Sequence, residues 1–229
     1  MQICKRRRKS SVTGLNGHGP KANYLEIAVN HRLAYDRMAA ERDLSPIPQW
    51  KLEERLRFLA VMKHERRRLL LDVGAGTGVH ARFFQDEGLE VVCTDASPEM
   101  VRLCQGKRLI AHVMDFMDLD FGGQQFHAAF AMNCLLHVPR ASLSAALNAI
   151  RGVVEPGGLF YLGQYGGMSS EAVDPMDRYD PKRFFSFFTD DEIMQAAGEV
   201  FELVRFCRVL LPESRNELYF QSLVMRRPK

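Results

Sequence analysis

Leu69-Leu70-Leu71-Asp72-Val73-Gly74-Ala75-Gly76-Thr77-Gly78 is the stretch that decides the fold. Three leucines ending in an acid mark a buried strand, and glycines at alternate positions mark the abrupt turn that follows it. Glycine leaves no side chain between backbone and ligand, and it accepts dihedrals that other residues avoid. A strand that ends in such a turn and feeds a helix presents bare amides at the C-terminal edge of a sheet, where a nucleotide-like group binds. A plain turn needs one glycine, not three.

The spacing narrows the ligand. Dinucleotide-binding strands carry G-x-G-x-x-G, in which the third glycine lets the helix pack close. Here the order is G-x-G-x-G, and Val79 stands where the third dinucleotide glycine would be. Two further apolar runs also end in acids. Glu90-Val91-Val92-Cys93-Thr94 leads to Asp95, nineteen positions after Gly76, and Ile110-Ala111-His112-Val113-Met114 leads to Asp115 and Phe116. A carboxylate at Asp95 has the spacing of one that accepts hydrogen bonds from ribose hydroxyls. Each acid taken singly is compatible with a helix cap or a solvated loop end; Asp72, Asp95 and Asp115 in register point to a ligand.

The run from Asp72 to Gly78 resembles the first motif of the class I S-adenosylmethionine-dependent methyltransferases, an acid and a hydrophobic residue followed by G-x-G-x-G. The resemblance implies that S-adenosyl-L-methionine is the cofactor and that Asp72, Gly74, Ala75, Gly76 and Gly78 cradle it. Asp95 and Ala96 would then hold the ribose. Ala96-Ser97-Pro98-Glu99-Met100 resembles the start of the family's next helix, with Ser97 as N-cap, Pro98 at the first helical position, and Met100 against the adenine. Asp115 matches the acid that meets the adenine amino group, with Phe116 beside the ring. Phe126 to Met132 is the fourth strand, and Asn133 after it would line the methionine end. Enzymes that methylate amino groups of nucleobases or glutamine often carry Asp or Asn, two prolines and an aromatic here. Asn133-Cys134-Leu135-Leu136 departs from that pattern and argues against that chemistry.

The remaining elements complete the order. Ala141 to Val153 has helical periodicity, Glu155-Pro156-Gly157-Gly158 is a turn, and Leu159 to Gly163 is a fifth strand. Thr189-Asp190-Asp191-Glu192 is a capping signal for a helix running to about Ala197. Phe201 to Leu211 and Leu218 to Met225 are β-like, joined by a polar loop at Pro212 to Asn216. The resemblance, which covers residues 67–226, implies a Rossmann-like doubly wound α/β fold. Its seven-stranded mixed sheet would have an antiparallel last strand, helices on both faces and an N-terminal helical lid.

Three regions follow: a disordered basic tail over 1–22, the lid over 23–65, and the cofactor-binding domain over 66–229. The tail holds Lys5-Arg6-Arg7-Arg8-Lys9, which reads as a solvated segment or as a contact for nucleic acid or a nuclear address. The lid has helices over about Tyr24 to Arg42 and Gln49 to Val61, separated by Ser45-Pro46-Ile47-Pro48. Ala34-Tyr35-Asp36-Arg37-Met38-Ala39 resembles a recurrent Tyr-Asp-x-x-Ala pattern of such lids, which places Tyr35 at the cofactor's methionine end or packs it on the sheet. A long aromatic insertion, Gln164 to Phe188, is the second candidate wall for an acceptor.

At 229 residues and 46% hydrophobic content the chain can bury one sizeable core. No apolar run is long enough to span a bilayer, and the basic N-terminus lacks the apolar core of a signal peptide, so a soluble, cytoplasmic protein is expected. The net charge of +3 is modest, and basic and aromatic residues do not interleave as single-stranded nucleic acid requires, so nucleic acid is not the expected partner. Five cysteines without C-x-x-C spacing read as reduced core thiols and give no metal site. The expected reaction is methyl transfer from the sulfonium to an oxygen or nitrogen of a small-molecule acceptor. His137, at the ligand edge after the fourth strand, is the candidate base or else a capping residue. The competing readings are a nicotinamide-dependent oxidoreductase, disfavoured by Val79, and a methyltransferase of protein or nucleic acid.

Overall fold

The computed structural model describes residues 23–211 and 218–229. The expected basic tail and the Pro212 to Asn216 loop lie essentially outside those residues. Among the described residues the chain begins with two helices, α1 (Tyr24–Leu44) and α2 (Gln49–His64). It then alternates: β1 (Leu69–Val73), α3 (Val79–Asp86), β2 (Glu90–Asp95), α4 (Pro98–Gly106), β3 (Ile110–Val113), β4 (Phe126–Met132), α5 (Arg140–Val153) and β5 (Val154–Gly166). A short ribbon follows, β6 (Ser170–Val173) with β7 (Phe184–Phe187), and then α6 (Asp190–Gly198), β8 (Glu202–Val209) and β9 (Tyr219–Arg226).

The main sheet has seven strands in the order β3-β2-β1-β4-β5-β9-β8. The first five strands pair in parallel, whereas β9 runs antiparallel to both β5 and β8. The order reverses direction at β1, and that switch point leaves a crevice at the C-terminal ends of β1 and β4. This is the doubly wound mixed sheet the sequence implies.

The two faces of the sheet are covered by different helices because successive strand residues point in opposite directions. Leu70 packs with Phe58 and Met62 of α2, Phe84 of α3 and Cys104 of α4. Its neighbours Leu71 and Val73 pack with Leu147 and Ile150 of α5 and Ile193 of α6. The expected caps form: Ser97 Oγ accepts from the Met100 amide at 3.1 Å, and Thr189 and Glu192 make a reciprocal capping box.

Two expectations about elements change. Glu155-Pro156-Gly157-Gly158 is not a turn before a strand but part of β5, which carries the irregular step within the strand: its register against β4 shifts between Phe126 and Ala128, and Gly157 takes φ +75°. The aromatic insertion contains its own antiparallel ribbon, in which Phe184 pairs with Val173 and Phe187 with Ser170. Among the described residues no helix is long and apolar enough to cross a membrane.

Candidate active site

The glycine turn after β1 is left-handed at alternate positions, with φ +62° at Gly74, +57° at Gly76 and +79° at Gly78. The reasons for glycine differ along it. A Cβ at Gly74 would lie 2.5 Å from Cys134 Cβ, and one at Gly78 would lie 2.7 Å from Leu109 Cδ1 and 2.8 Å from Cys104 Sγ. Those two glycines let the turn sit against β4 and α4. A Cβ at Gly76 meets nothing within 4 Å, so this glycine faces open space, as a cradle for a ligand must.

Asp95, at the end of β2, closes the far side of that space. Its Oδ2 accepts from the Gly76 amide at 2.8 Å and its Oδ1 from the Ser97 amide at 2.9 Å, which fixes the carboxylate against the turn. Burial pushes its carboxyl above the usual range, and the two amides pull it back. Ala75, held to Thr94 by its amide at 2.9 Å, and Ala96 line the same cavity. Asp72 is 3% exposed, and among the described residues its Oδ2 has no hydrogen-bond partner. Burial, with the charge of Asp95 adding, pushes its carboxyl up to about 8.

Asp72, Gly74, Ala75, Gly76, Asp95 and Ala96 line one cavity of about 270 Å³, roofed by α1 and by the segment that leads into α2. Asp115 and Phe116 lie at one end, and Asp115 accepts a hydrogen bond from the Tyr24 hydroxyl of the lid and another from the Met117 amide at 2.8 Å. Asn133, at the end of β4, adopts a left-handed φ of +58° with its amide bonded to Gly163 O at 2.7 Å. Its side-chain amide has no partner among the described residues.

The structure corrects two expected contacts. Gly78 does not line the cavity and instead packs toward Leu109 and Cys104. Met100 is 1% exposed and does not line the cavity; with Val101 and Cys104 it forms the face of α4 that packs inward. Met114, between β3 and Asp115, reaches the cavity instead. Cys134 lies beside the turn, but its Sγ donates to Val73 O at 3.2 Å, and burial with nearby Asp72 and Asp95 pushes the thiol strongly upward. It is an inert thiol, not a nucleophile.

His137 and Tyr35 meet at the other end. The Tyr35 hydroxyl lies 2.6 Å from His137 Nε2, and His137 Nδ1 lies 2.8 Å from Phe184 O. A carbonyl only accepts, so Nδ1 carries the proton and Nε2 accepts from Tyr35. Burial, with His31 adding, holds the imidazole well below its ordinary value, so it is neutral at pH 7. Arg183 donates to the Tyr35 oxygen at 3.1 Å and is itself gripped by Asp177 through two nitrogens. His31 accepts from the Phe184 amide at 2.9 Å, so His31 and His137 both bond the backbone of one residue of the insertion. The sequence reading missed Tyr24, His31, Asp36 and Arg183. Asp36 sits in the quoted Tyr-Asp-x-x-Ala stretch, and its carboxylate accepts from Ser97 Oγ and the Glu99 amide, tying the lid to α4.

Residues 70–158 match the family model described as a methyltransferase domain. Over that stretch the chain is similar to a methyltransferase domain. The match spans β1 through the bulged start of β5 and so contains the glycine turn and all three strand-terminal acids. No curated protein matches the chain. Among solved structures the chain is similar to the Burkholderia thailandensis 1,6-didemethyltoxoflavin-N1-methyltransferase, solved with 1,6-didemethyltoxoflavin and S-adenosylhomocysteine. The TM-score is 0.70 at 22% identity, over 93% of this chain and 94% of that one. DhpI in its SAH complex gives a TM-score of 0.66 at 19% identity, over 88% and 97% of the two chains. The N-methyltransferase NodS from Bradyrhizobium japonicum WM9, with S-adenosyl-l-homocysteine, gives 0.59 at 16% identity, over 86% and 100%. Likeness at these identities establishes the shared fold.

Proposed function

We propose that this methyltransferase takes S-adenosyl-L-methionine and moves its methyl group to a nitrogen or oxygen of a small-molecule acceptor. The observation that carries the reading is the left-handed Gly76, open on its free face and backed by the Asp95 carboxylate. Backbone with no side chain beside a fixed acceptor suits an adenosyl group. The residues fit such a cofactor throughout. Gly74 to Gly76 supply bare backbone, Asp95 and Ala96 the ribose contacts, and Asp115 and Phe116 the adenine end. Asp72 and Asn133 face the amino-acid end, where the unpartnered Asp72 Oδ2 suits an ammonium group.

Bound, the cofactor supplies a methyl group on a sulfonium, whose departure as a thioether needs no proton. What remains for the protein is alignment and exclusion of water, and α1 does both by roofing the cavity. His137 is a weak base here, neutral and engaged at both nitrogens. It touches an acceptor only through Tyr35, whose oxygen keeps a lone pair for an N–H or O–H. That arrangement favours a nucleophile that is neutral or readily loses its proton, such as a ring nitrogen or an acidic hydroxyl. The cavity of about 270 Å³ and the heterocycle named in the Burkholderia structure support a small acceptor.

Isothermal titration tests the reading. Wild type should bind S-adenosylmethionine and S-adenosylhomocysteine competitively, and heteroaromatic N–H compounds and phenols should be screened by release of S-adenosylhomocysteine. Absence of heat with both cofactor forms defeats the proposal. A change in nicotinamide absorbance on mixing would revive the oxidoreductase reading instead.

A further inference from the structure

We propose that His31 determines acceptor specificity: its Nδ1–H donates to a carbonyl oxygen or bare ring nitrogen of an uncharged heterocycle whose N–H is taken by the Tyr35 oxygen. This rests on the cofactor reading above and names the class of acceptor that the same cavity takes.

The backbone of Phe184 uses two histidines. Its amide donates to His31 Nε2 at 2.9 Å, and its carbonyl accepts from His137 Nδ1 at 2.8 Å. Burial, with the charge of Arg183 adding, lowers the His31 imidazole to about 4, so at pH 7 the ring is neutral and carries one proton. An amide only donates, so Nε2 is the bare nitrogen and the proton sits on Nδ1. Among the described residues that N–H has no acceptor, although His31 is 9% exposed and lines the cavity. A buried donor left without an acceptor is unfavourable, and tying down Phe184 does not require it, because Nε2 alone makes that bond.

Tyr35 supplies the complement, one turn further along α1 with its ring centroid 6.5 Å from that of His31. Its proton goes to His137 Nε2 and one lone pair to Arg183, which leaves a second lone pair for a donor. The wall therefore presents one neutral donor and one neutral acceptor. Arg183 adds no free charge to it, because Asp177 grips that guanidinium through two nitrogens and Arg183 does not line the cavity. These demands sort acceptors by chemistry. A carboxylate has no hydrogen for the Tyr35 oxygen. An aliphatic ammonium has no lone pair for His31, and it would approach the Arg42 guanidinium, which lies 5.2 Å from the Tyr35 ring centroid. An N–H heterocycle without a second polar atom satisfies Tyr35 alone. A ring lactam or amidine carries both groups and satisfies both residues.

The test is titration at pH 7 of full-length protein saturated with S-adenosylhomocysteine, using quinazolin-4-one, which carries both groups, indole, which carries N–H alone, and naphthalene-2-carboxylate. Wild type should bind quinazolin-4-one about fivefold or more tighter than either of the others. Two variants separate the donor from the tie to Phe184. His31→Gln reaches the Phe184 amide but places no N–H where Nδ1 stands, and it should lose about 5- to 30-fold for quinazolin-4-one and less than about threefold for indole. His31→Asn places an N–H at the Nδ1 position without reaching Phe184, and it should keep most of the preference. Nitrogen NMR adds a readout without mutation: the His31 Nδ1 resonance should move on addition of quinazolin-4-one and stay in place with indole. Equal affinity of wild type for quinazolin-4-one and indole, tighter binding of the carboxylate, or a preference kept by His31→Gln and lost in His31→Asn overturns the assignment. If S-adenosylhomocysteine itself does not bind, the cofactor reading has failed; the same probes titrated alone then report on His31 separately, by the same criteria.

Discussion

The Gly76 amide donates to Asp95 Oδ2 at 2.8 Å, so one carboxylate both fixes the glycine turn and lines the cavity. Asp95 Oδ1 is likewise bonded to the Ser97 amide, at the start of α4. Replacing the acid therefore unfastens the turn and, on the proposed reading, removes a ligand contact as well. Asp95→Ala should abolish detectable binding of S-adenosylhomocysteine. Asp95→Asn, which can keep only one acceptor oxygen, should weaken it by about 10- to 100-fold. Titration calorimetry on both variants checks this, and an Ala variant that binds like wild type would remove Asp95 from the site.

Gly76 and Gly78 separate ligand effects from packing effects. Both hold left-handed backbone, where a side chain costs about 1–2 kcal/mol. At Gly78 an added methyl would also collide with Leu109 and Cys104, so Gly78→Ala should lower the melting temperature by much more than Gly76→Ala does. At Gly76 the methyl projects into open space, so Gly76→Ala should keep most of its stability and lose cofactor affinity. Thermal unfolding with and without S-adenosylhomocysteine distinguishes the two. The reverse pattern would mean that the open face of Gly76 is not the ligand face.

The alternating glycines and the three acids made the sheet and its cavity edge legible, because strand period, turn chemistry and strand-terminal acids are all local signals. The lid contacts were not. Tyr24 reaches Asp115 across ninety-one positions and Tyr35 reaches His137 across one hundred and two, and nothing local specifies which face of α1 docks. That helix is polar around much of its circumference, with only Ile27, His31, Ala34 and Ala39 buried. Met100 and Met114 illustrate a different limit: only the face that α4 turns inward decides which of the two lines the cavity. The ribbon of β6 and β7 escaped notice because consecutive phenylalanines from Phe184 give no clean alternation, and β5 was cut short because Pro156-Gly157-Gly158 has the chemistry of a turn.

Asp72 makes a prediction that opposes stability to binding. Its carboxyl ionises at about 8 in the folded protein against an ordinary value of 3.8. Between those values the folded state holds a proton that the unfolded state releases, so this residue costs stability increasingly as pH rises through that window. Below 3.8 the cost is absent, and above about 8 it is complete. Asp72→Asn, which mimics the neutral acid, should therefore raise the melting temperature at pH 8 by about 2–8 °C and by less at pH 5. The same variant should weaken S-adenosylhomocysteine by about tenfold, since an amide cannot pair with an ammonium group. A gain in stability that is independent of pH would show that Asp72 is ionised in the fold.

Tyr35 and His137 carry the remaining prediction, on the role of the imidazole. Nδ1 faces the Phe184 carbonyl and Nε2 faces the Tyr35 hydroxyl, and burial disfavours the charged form. Ring nitrogen NMR should accordingly show the proton on Nδ1 and no titration of His137 from pH 6 to pH 8. Tyr35→Phe leaves Nε2 buried without its donor, and it should lower stability by about 1–3 kcal/mol. Affinity for S-adenosylhomocysteine should then stay within about threefold, because Tyr35 serves the acceptor end in this arrangement. A tenfold loss of affinity would instead assign Tyr35 to the cofactor's methionine end, as the sequence suggested. A His137 titration near 6.5 would restore that residue as a general base, because an imidazole that changes charge near neutral pH can take the acceptor's proton.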